Sequence, residues 1–450
     1  MVMEKRIFGA TDGIRSKVGE KPLRPAYVKC LGVAIAKFFR HNRILIARDT
    51  RESGVWISDV LVEGIKQLGG TVGDLGVLPT PVVQKIVGAR DGIMGGVMIT
   101  ASHNPATDNG VKVFMGDGNK LTDEQELEVE RLYFDIGVGD DVEPPTAIYV
   151  PDDNTGAIRE YTEIVRLALE IDDDFDGAPM ILDAASGAGH DFSRQVFEAF
   201  GIEVKQIDPV PDGKNINAGY GALYPEKIAA ESKKYGAIGV ALDGDADRIV
   251  VTDEEGRIWN GDRLVILLAD YLQSKDALTN NTVVLTQYSN YAAEQYLTNL
   301  GVTVQKVDNG DRYVAQKCEE VGAVLGGEFS GHIIYLPWMK SSDGTFMAMM
   351  IQKIMADKGC RLADLWARYD DLPSRQWAIE VKEKKPLDEI PEWNGAVAAA
   401  TGDFQGDGRI FARYSGTENK LRILVEGKNL DMVEEVGERL KALIEKEIGA

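Results

Sequence analysis

The chain of 450 residues is poor in cysteine: Cys30, Cys318 and Cys360 stand far apart, are odd in number and show no metal-like pairing. A disulfide framework and a thiolate metal site are therefore not expected. Each cysteine reads as a small core residue, and the expected compartment is a reducing cytoplasm. Positive charge is also scarce. Fifty Lys and Arg face 72 Asp and Glu, a net charge of −22. That argues against a general nucleic-acid or anionic-membrane binder, while leaving room for a local basic pocket for a small anion. No apolar run approaches the roughly 18 residues of a membrane span, and the first residues, Met1 to Phe8, lack an apolar signal segment. What remains, 44% apolar and 27% charged, is an ordinary globular composition. The length prior is about three domains.

Within that composition, Thr100-Ala101-Ser102-His103-Asn104-Pro105 stands out. Gly95–Ile99 before it is short, apolar and glycine-bounded, which reads as a buried strand. A strand that runs straight into Ser, His and Asn ends in a loop at its C-terminal edge, where open α/β sheets carry their chemistry. Asp108-Asn109-Gly110 makes a turn, and Val111–Phe114 alternates as a short strand with Lys112 on the opposite face. Alone, this loop reads equally as a helix cap; three further polar clusters at matching places tip the balance.

The same pattern of strands, helices and polar loops recurs. In the first segment Arg43–Ala47 is a strand ending in Arg48–Gly54, a helix follows with Ile57, Val60, Leu61, Ile65 and Leu68 on one face, and the third strand delivers Ser102. In the second, Pro179–Leu182 ends in Asp183–Gly189, and Gly239–Leu242 delivers Asp243-Gly244-Asp245-Ala246-Asp247-Arg248. In the third, Thr282–Leu285 ends in Thr286–Asn290, and Gly322–Leu325 is expected as the final strand, delivering Gly326–His332. The spacing predicts three copies of one α/β unit. After about Asp371 the grammar changes to two strands around Tyr414–Asn419 and a closing helix, a smaller α+β domain. The expected fold is α/β, with domains at 1–153, 154–255, 256–371 and 372–450. Candidate linkers are Asp152–Gly156, Glu254-Glu255-Gly256 and Asp371–Ser374.

Each loop suggests a chemistry. Asp243, Asp245 and Asp247 alternate, so their carboxylates can converge. Three hard oxygen ligands suit Mg²⁺, and no Glu follows at EF-hand spacing. Arg248 beside them could hold a phosphate or steady a carboxylate. Arg413-Tyr414-Ser415-Gly416-Thr417, with Arg422 on the next strand, offers a guanidinium fork, hydroxyls and backbone N–H groups suited to a phosphate monoester; a plain hairpin turn reads as well. Glu328 and Ser330 are placed to accept from and donate to sugar hydroxyls, or Glu328 closes a loop salt bridge; His332 could bind an anion or move a proton. A loop serine, a Mg²⁺ site and a phosphate pocket together fit phosphoryl transfer through a covalent phosphoserine.

These four motifs, Thr100–Pro105 with Asn109–Lys112, Asp243–Arg248, Gly327–His332 and Arg413–Glu418, resemble the α-D-phosphohexomutase family in order and over essentially the whole chain. The resemblance implies three topologically similar α/β domains plus a smaller C-terminal domain around a central cleft. It implies that Ser102 is phosphorylated and that Asp243, Asp245 and Asp247 hold Mg²⁺ with the serine phosphate as a further ligand. Glu328 and Ser330 would grip sugar hydroxyls. Arg413, Ser415, Gly416, Thr417 and Arg422 would bind the distal phosphate. Arg15, His103, Lys112, Arg248 and His332 would line the reacting end, with the general acid and base left open. The implied substrate is a hexose phosphate, with a sugar 1,6-bisphosphate as intermediate and activator, no nucleic-acid or membrane partner, and a monomer or homodimer. Phe8–Arg15 and Gly416-Thr417-Glu418 are most similar to the branch acting on glucosamine phosphates. Against that branch, Ala10 looks inserted, Phe329 stands for Gln, Ala246 for Gly and Asn419 for Pro. Glucose or mannose phosphates therefore remain alternatives, and a Mg²⁺-dependent sugar phosphatase is a further one. The Pro373 linker would allow the last domain to move.

Overall fold

The computed structural model describes residues 6–9, 13–137, 155–366, 369–415 and 418–450. The first unit contains β1 (Ile14–Lys17), α1 (Pro25–Phe38), β2 (Arg43–Arg48), α2 (Glu52–Gln67), β3 (Thr71–Val77), α3 (Thr80–Ala89), β4 (Gly95–Ile99), β5 (Asp108–Met115) and α4 (Asp123–Ile136). The second contains α5 (Thr155–Ala168), β6 (Met180–Asp183), α6 (Gly189–Ala199), β7 (Val204–Gln206), α7 (Pro225–Tyr235), β8 (Ile238–Leu242), β9 (Ile249–Thr252) and β10 (Ile258–Trp259). The third contains α8 (Gly261–Ser274), β11 (Thr282–Thr286), α9 (Tyr291–Asn299), β12 (Thr303–Val307), α10 (Asp311–Val321), β13 (Leu325–Gly327), β14 (Ile333–Tyr335) and α11 (Gly344–Lys358). The last contains β15 (Ser374–Glu380), α12 (Trp393–Asp403), β16 (Gly408–Tyr414), β17 (Lys420–Gly427) and α13 (Leu430–Ile448).

The sheets run β1-β5-β4-β2-β3, β10-β9-β8-β6-β7 and β12-β11-β13-β14. In each, one strand pairs in parallel with the strand that follows it on one side and with the next on the other. A further strand then turns back antiparallel. The loop at that reversal carries the polar motif: after β4 Ser102, after β8 the three aspartates, after β13 Glu328. Strands β4, β8 and β11 are buried along their whole length, as expected where helices cover both faces of a parallel sheet. The last sheet, β15-β17-β16, is antiparallel throughout.

One apolar core runs through the first three units. It joins Val82 and Ile86 of α3, Tyr161 and Val165 of α5, Phe192 and Phe197 of α6, and Phe346 and Met350 of α11. A second cluster fills the other face of the first sheet, and the last unit has its own core around Leu421, Ile423, Val436 and Leu440.

Three expectations change. The third-unit strand is not Gly322–Leu325 but Leu325–Gly327, because Gly322, at φ 67, caps α10. It is also not the final strand, since β14 returns against it. Glu254-Glu255-Gly256 is no linker. It is the turn of the β9–β10 hairpin, stitched by Asp253, whose Oδ1 accepts from the Glu255 and Arg257 N–H groups. The candidate linker Asp371–Ser374 stays between the third and last units, anchored where the Asn290 side chain bonds both the N–H and the C=O of Leu372. Ala10 and residues 152–154 lie outside the described residues.

Helices α1 and α2 cross at two glycines. A Cβ on Gly32 would lie 2.2 Å from the Leu61 carbonyl oxygen, and one on Gly64 2.3 Å from that of Lys29. Gly64→Ala should therefore destabilise the first unit by about 2 kcal/mol through overpacking, although Ala is the better helix former. Scanning calorimetry should show a lower Tm; an unchanged or raised Tm would contradict the close crossing.

Candidate active site

The serine loop is built by a clamp. Ser102 is buried and sits at φ 51, a left-handed conformation that a side chain adopts only when its surroundings hold it there. Its N–H donates to Thr100 Oγ1 at 2.9 Å, and that hydroxyl donates to Asp49 Oδ2 at 2.7 Å. Asp49 also accepts from Arg51 Nε at 2.8 Å. The Arg51 guanidinium, with no exposed surface, donates to the carbonyls of Ser102, Asn104, Pro105 and Asp108. From the second unit, Asn217 Nδ2 adds bonds to the Ser102 and Asn104 carbonyls at 2.9 and 3.0 Å. None of Asp49, Arg51 or Asn217 was singled out by sequence. The available signal was that Arg48–Gly54 also leaves the C-terminal end of a strand.

The serine hydroxyl faces the acidic loop. Ser102 Oγ donates to Asp243 Oδ2 at 2.7 Å, and His103 Nδ1 lies 3.3 Å from Ser102 Oγ. Asp243, Asp245 and Asp247 are all buried, with ligand atoms within 4.8 Å of one another. Ala246 between them adopts φ 57, so the loop accepts a backbone conformation that glycine would take without strain. Lys112, on β5 and nearly fully buried, bridges Asp245 Oδ2 at 2.9 Å and Asp247 Oδ2 at 3.1 Å. The Thr80 hydroxyl, at the start of α3, also donates to Asp245. Asp245 Oδ1 is buried and has no hydrogen-bond partner among the described residues. Three converging carboxylates and an orphaned buried oxygen fit a small hard divalent cation.

Charge is distributed unevenly. Burial, then repulsion from Asp247 and Asp245, pushes Asp243 up to about 7. Burial would also raise Asp247, but Lys112 and His332 outweigh it and hold it well below the usual carboxylate range. His332 Nε2 lies 3.1 Å from Asp247 Oδ1 and its Nδ1 3.4 Å from Glu328 Oε2. Burial opposes its charge, but Asp247 and then Glu328 carry it to about 10. As an imidazolium it donates to both carboxylates; the 3.2 Å approach of Arg248 Nε to the same Nε2 is a hydrogen bond only with the neutral ring. His103 behaves oppositely: burial, with Arg248 and Arg15 nearby, lowers it to about 4. Arg15 lies half-buried on β1, paired with Gly110 of β5.

Glu328 accepts from the Gly310 N–H at 2.7 Å and from Ser330 Oγ at 3.0 Å. Burial would raise its pKa, but His332, Gly310 and Ser330 hold it down to about 2. Phe329 between them is 48% exposed. Ser102, His103, Lys112, Asp243, Asp245, Asp247, Arg248, His332, Glu328 and Ser330 thus form one continuous network across three units.

Arg413, Ser415 and Arg422 make a second group. Arg413 and Arg422 sit directly opposite each other in the β16–β17 ladder, an arrangement that costs energy unless an anion lies between or near them. Among the described residues the buried Arg422 Nε has no hydrogen-bond partner, while its NH2 reaches Glu418 at 3.3 Å. Arg413 Nε donates to the Tyr288 hydroxyl at 3.3 Å, from the loop after β11. Ser415 Oγ accepts from the Glu418 N–H at 3.3 Å, and the Ser415 carbonyl from Lys384 Nζ at 2.6 Å. Tyr288 and Lys384 carried no motif. Gly416 and Thr417 lie outside the described residues.

Two outcomes follow. A cation binding the cluster displaces the Asp243 proton, so its affinity should fall as pH drops below about 7, approaching tenfold per pH unit. Calorimetric Mg²⁺ titrations at pH 6 and 8 check this; equal affinities would contradict it. Arg51→Ala leaves Asp49 buried without its counter-charge and removes four hydrogen bonds to loop carbonyls, so it should cost about 3 kcal/mol. A chemical-denaturation midpoint equal to that of the parent would refute the clamp.

Comparison with known proteins agrees with this architecture. Models described as phosphoglucomutase/phosphomannomutase α/β/α domain I, domain III and C-terminal domain match residues 5–138, 260–372 and 378–443. Phosphoglucosamine mutase of Bdellovibrio bacteriovorus is 35% identical over 99% of this chain and 100% of its own. That of Geotalea daltonii is 38% identical over 99% of both. Among solved structures, a phosphoglucomutase/phosphomannomutase family protein from Burkholderia thailandensis shares the fold, with TM-score 0.76 and 21% identity over 99% of both chains. So does Aspergillus fumigatus N-acetylphosphoglucosamine mutase, solved with GlcNAc-6P and magnesium, with TM-score 0.65 and 20% identity over 98% of this chain and 95% of that one. Full-length relatives and three domain models in their proper order make the chain a member of the phosphoglucomutase/phosphomannomutase family, the α-D-phosphohexomutases.

Proposed function

We propose that this chain is a phosphoglucosamine mutase, interconverting glucosamine 6-phosphate and glucosamine 1-phosphate through a phosphoserine and a bisphosphorylated sugar. The observation that carries the reading is the 2.7 Å contact of Ser102 Oγ with Asp243 inside a buried three-carboxylate cluster. The full-length relatives from B. bacteriovorus and G. daltonii bear that name. Ser102 carries the phosphoryl group. Asp243, Asp245 and Asp247 would hold Mg²⁺, which when bound offsets a phosphoserine charge of about −1.5 to −2 at neutral pH.

Lys112, Arg248, Arg15 and the His332 imidazolium supply positive charge around the transferring group. Glu328, kept ionised, accepts from the sugar hydroxyls, and Ser330 donates. In the forward half-reaction the bond from phosphorus to Ser102 Oγ breaks as a bond to a sugar hydroxyl oxygen forms. The proton leaving that hydroxyl balances the one regained by the serine. The bisphosphorylated sugar turns over and returns its other phosphate to Ser102. The opposed Arg413 and Arg422, with Ser415, Gly416 and Thr417, bind whichever phosphate is distal. In this reading the first three domains present the serine, metal and sugar loops, and the last closes over the distal phosphate. The setting is a reducing cytoplasm, consistent with three free cysteines.

The exposed ring of Phe329 beside Glu328 and Ser330 favours a second reading, in which glucose or mannose phosphates are the substrates. Phosphorus NMR of the phosphorylated, Mg²⁺-loaded protein with glucosamine, glucose, mannose and N-acetylglucosamine 6-phosphates separates them. Glucosamine 1-phosphate should form fastest, with esterified phosphate conserved. Ser102→Ala should lose at least about 10⁴-fold in turnover while still binding substrate. Faster glucose or mannose conversion would shift the assignment, and release of inorganic phosphate would make the protein a phosphatase.

A further inference from the structure

Glu328 is aimed from another domain. Its Oε1 accepts the Gly310 N–H at 2.7 Å. Gly310 lies at φ 130, immediately before α10, a conformation that favours glycine, so the direction of this N–H is tied to where α10 begins. The next two residues are gripped by the first unit. Asp311, 5% exposed, accepts from Lys120 Nζ at 2.7 Å and from Ser341 Oγ at 3.4 Å. Lys120 follows β5, and its backbone bridges back to Phe114 on that strand. Arg312 reaches Asp123 at 2.7 Å and Glu126 at 2.6 Å, both in the first turn of α4. That turn is itself fixed by the reciprocal Thr122–Gln125 capping bonds. Strand β5 also carries Lys112, which holds Asp245 and Asp247. One hairpin of the first unit therefore touches both the acidic cluster and the support of Glu328.

Resting on the reading of Glu328 as the sugar-hydroxyl acceptor, we propose that Lys120 and Asp311 are positioning residues: their ion pair across the seam between the first and third units sets the start of α10. The Gly310 N–H it places fixes which way Glu328 faces the sugar. The side chains of Lys120 and Asp311 are only 11% and 6% exposed, so solvent cannot replace either partner at low cost. Breaking the pair moves the Gly310 donor and frees Glu328 Oε1, while the cluster of Asp243, Asp245 and Asp247 keeps its own contacts. The effect belongs to sugar affinity rather than to phosphoryl transfer.

The test is steady-state kinetics of the Mg²⁺-loaded full chain on glucosamine 6-phosphate. Lys120→Gln should raise KM about tenfold, the low end for loss of an outer-shell partner, with kcat within about twofold. Lys120→Arg should restore most of the affinity. In a Glu328→Gln background, adding Lys120→Gln should raise KM no further, because the group being aimed is already lost. An unchanged KM in Lys120→Gln overturns the proposal, as does a fall in kcat at constant KM. An equal KM rise with and without Glu328 also overturns it, since that would mark a general loosening of the fold. Should Lys120→Gln not fold, Asp311→Asn carries the same comparison with a smaller change in shape. A wild-type protein that neither binds nor converts glucosamine 6-phosphate would instead defeat the reading of the site; normal wild-type conversion with insensitive variants defeats this inference alone.

Discussion

Burying three carboxylates within 4.8 Å of one another is the constraint around which the molecule is arranged. A buried charge left unmatched costs several kcal/mol, so the cluster must be answered by donors and cations. They come from different parts of the chain: Lys112 and Thr80 from the first unit, Arg248 from the same loop, His332 from the third. The three α/β units are thereby tied at one point by electrostatics and, behind it, by one continuous apolar core. What remains unanswered, the orphaned Asp245 oxygen and the raised Asp243, is what a divalent cation would satisfy.

The serine is prepared by a different kind of order. Its loop has no regular hydrogen-bonding ladder, so its carbonyls need donors from elsewhere. Arg51 supplies four of them from within the protein and Asn217 two more. The positive φ at Ser102 is held by this clamp, and the hydroxyl donates to Asp243, with His103 Nδ1 3.3 Å away. A side chain on Gly244 would meet the Ser102 carbonyl at 2.6 Å, so the acidic loop approaches the serine loop as closely as backbones allow. The rigidity belongs to the carbonyl side of the loop, and the reactive oxygen faces the cluster.

The last unit is coupled more lightly. It has its own core and meets the third unit through polar contacts such as Asn290 with Leu372, Tyr288 with Arg413, Gln295 with the Gly406 carbonyl and Arg409 with the Ser289 carbonyl, and through the edge-to-face rings of Tyr288 and Phe411. Two arginines face each other across its ladder, and Glu418 pairs with one of them, Arg422. The first three units, in contrast, meet their electrostatic needs largely among themselves.

Much of this was legible in the sequence, because a strand ending in polar residues is a local pattern. Ser102, the alternating aspartates and Glu328 each follow a short apolar run, and the period-two and helical spacings placed most elements near where they lie. The sequence also implied the triple repeat, since each copy repeats the same local order of strand, helix and loop. Local pattern failed where a glycine has more than one use. Gly322 caps a helix rather than opening a strand, and Gly256 closes a hairpin rather than marking a boundary. Tertiary structure alone decided the partners: Arg51 and Tyr288 sit in polar loops at strand ends, Asn217, Lys384 and the Lys120–Asp311 pair in stretches without a motif, and all gain their meaning from residues up to nearly two hundred positions away. It also decided which ionisable groups carry charge: Asp247 and Glu328 keep His332 protonated against its burial, burial with Arg248 and Arg15 keeps His103 neutral, and His332, the Gly310 N–H and Ser330 keep Glu328 ionised against its burial.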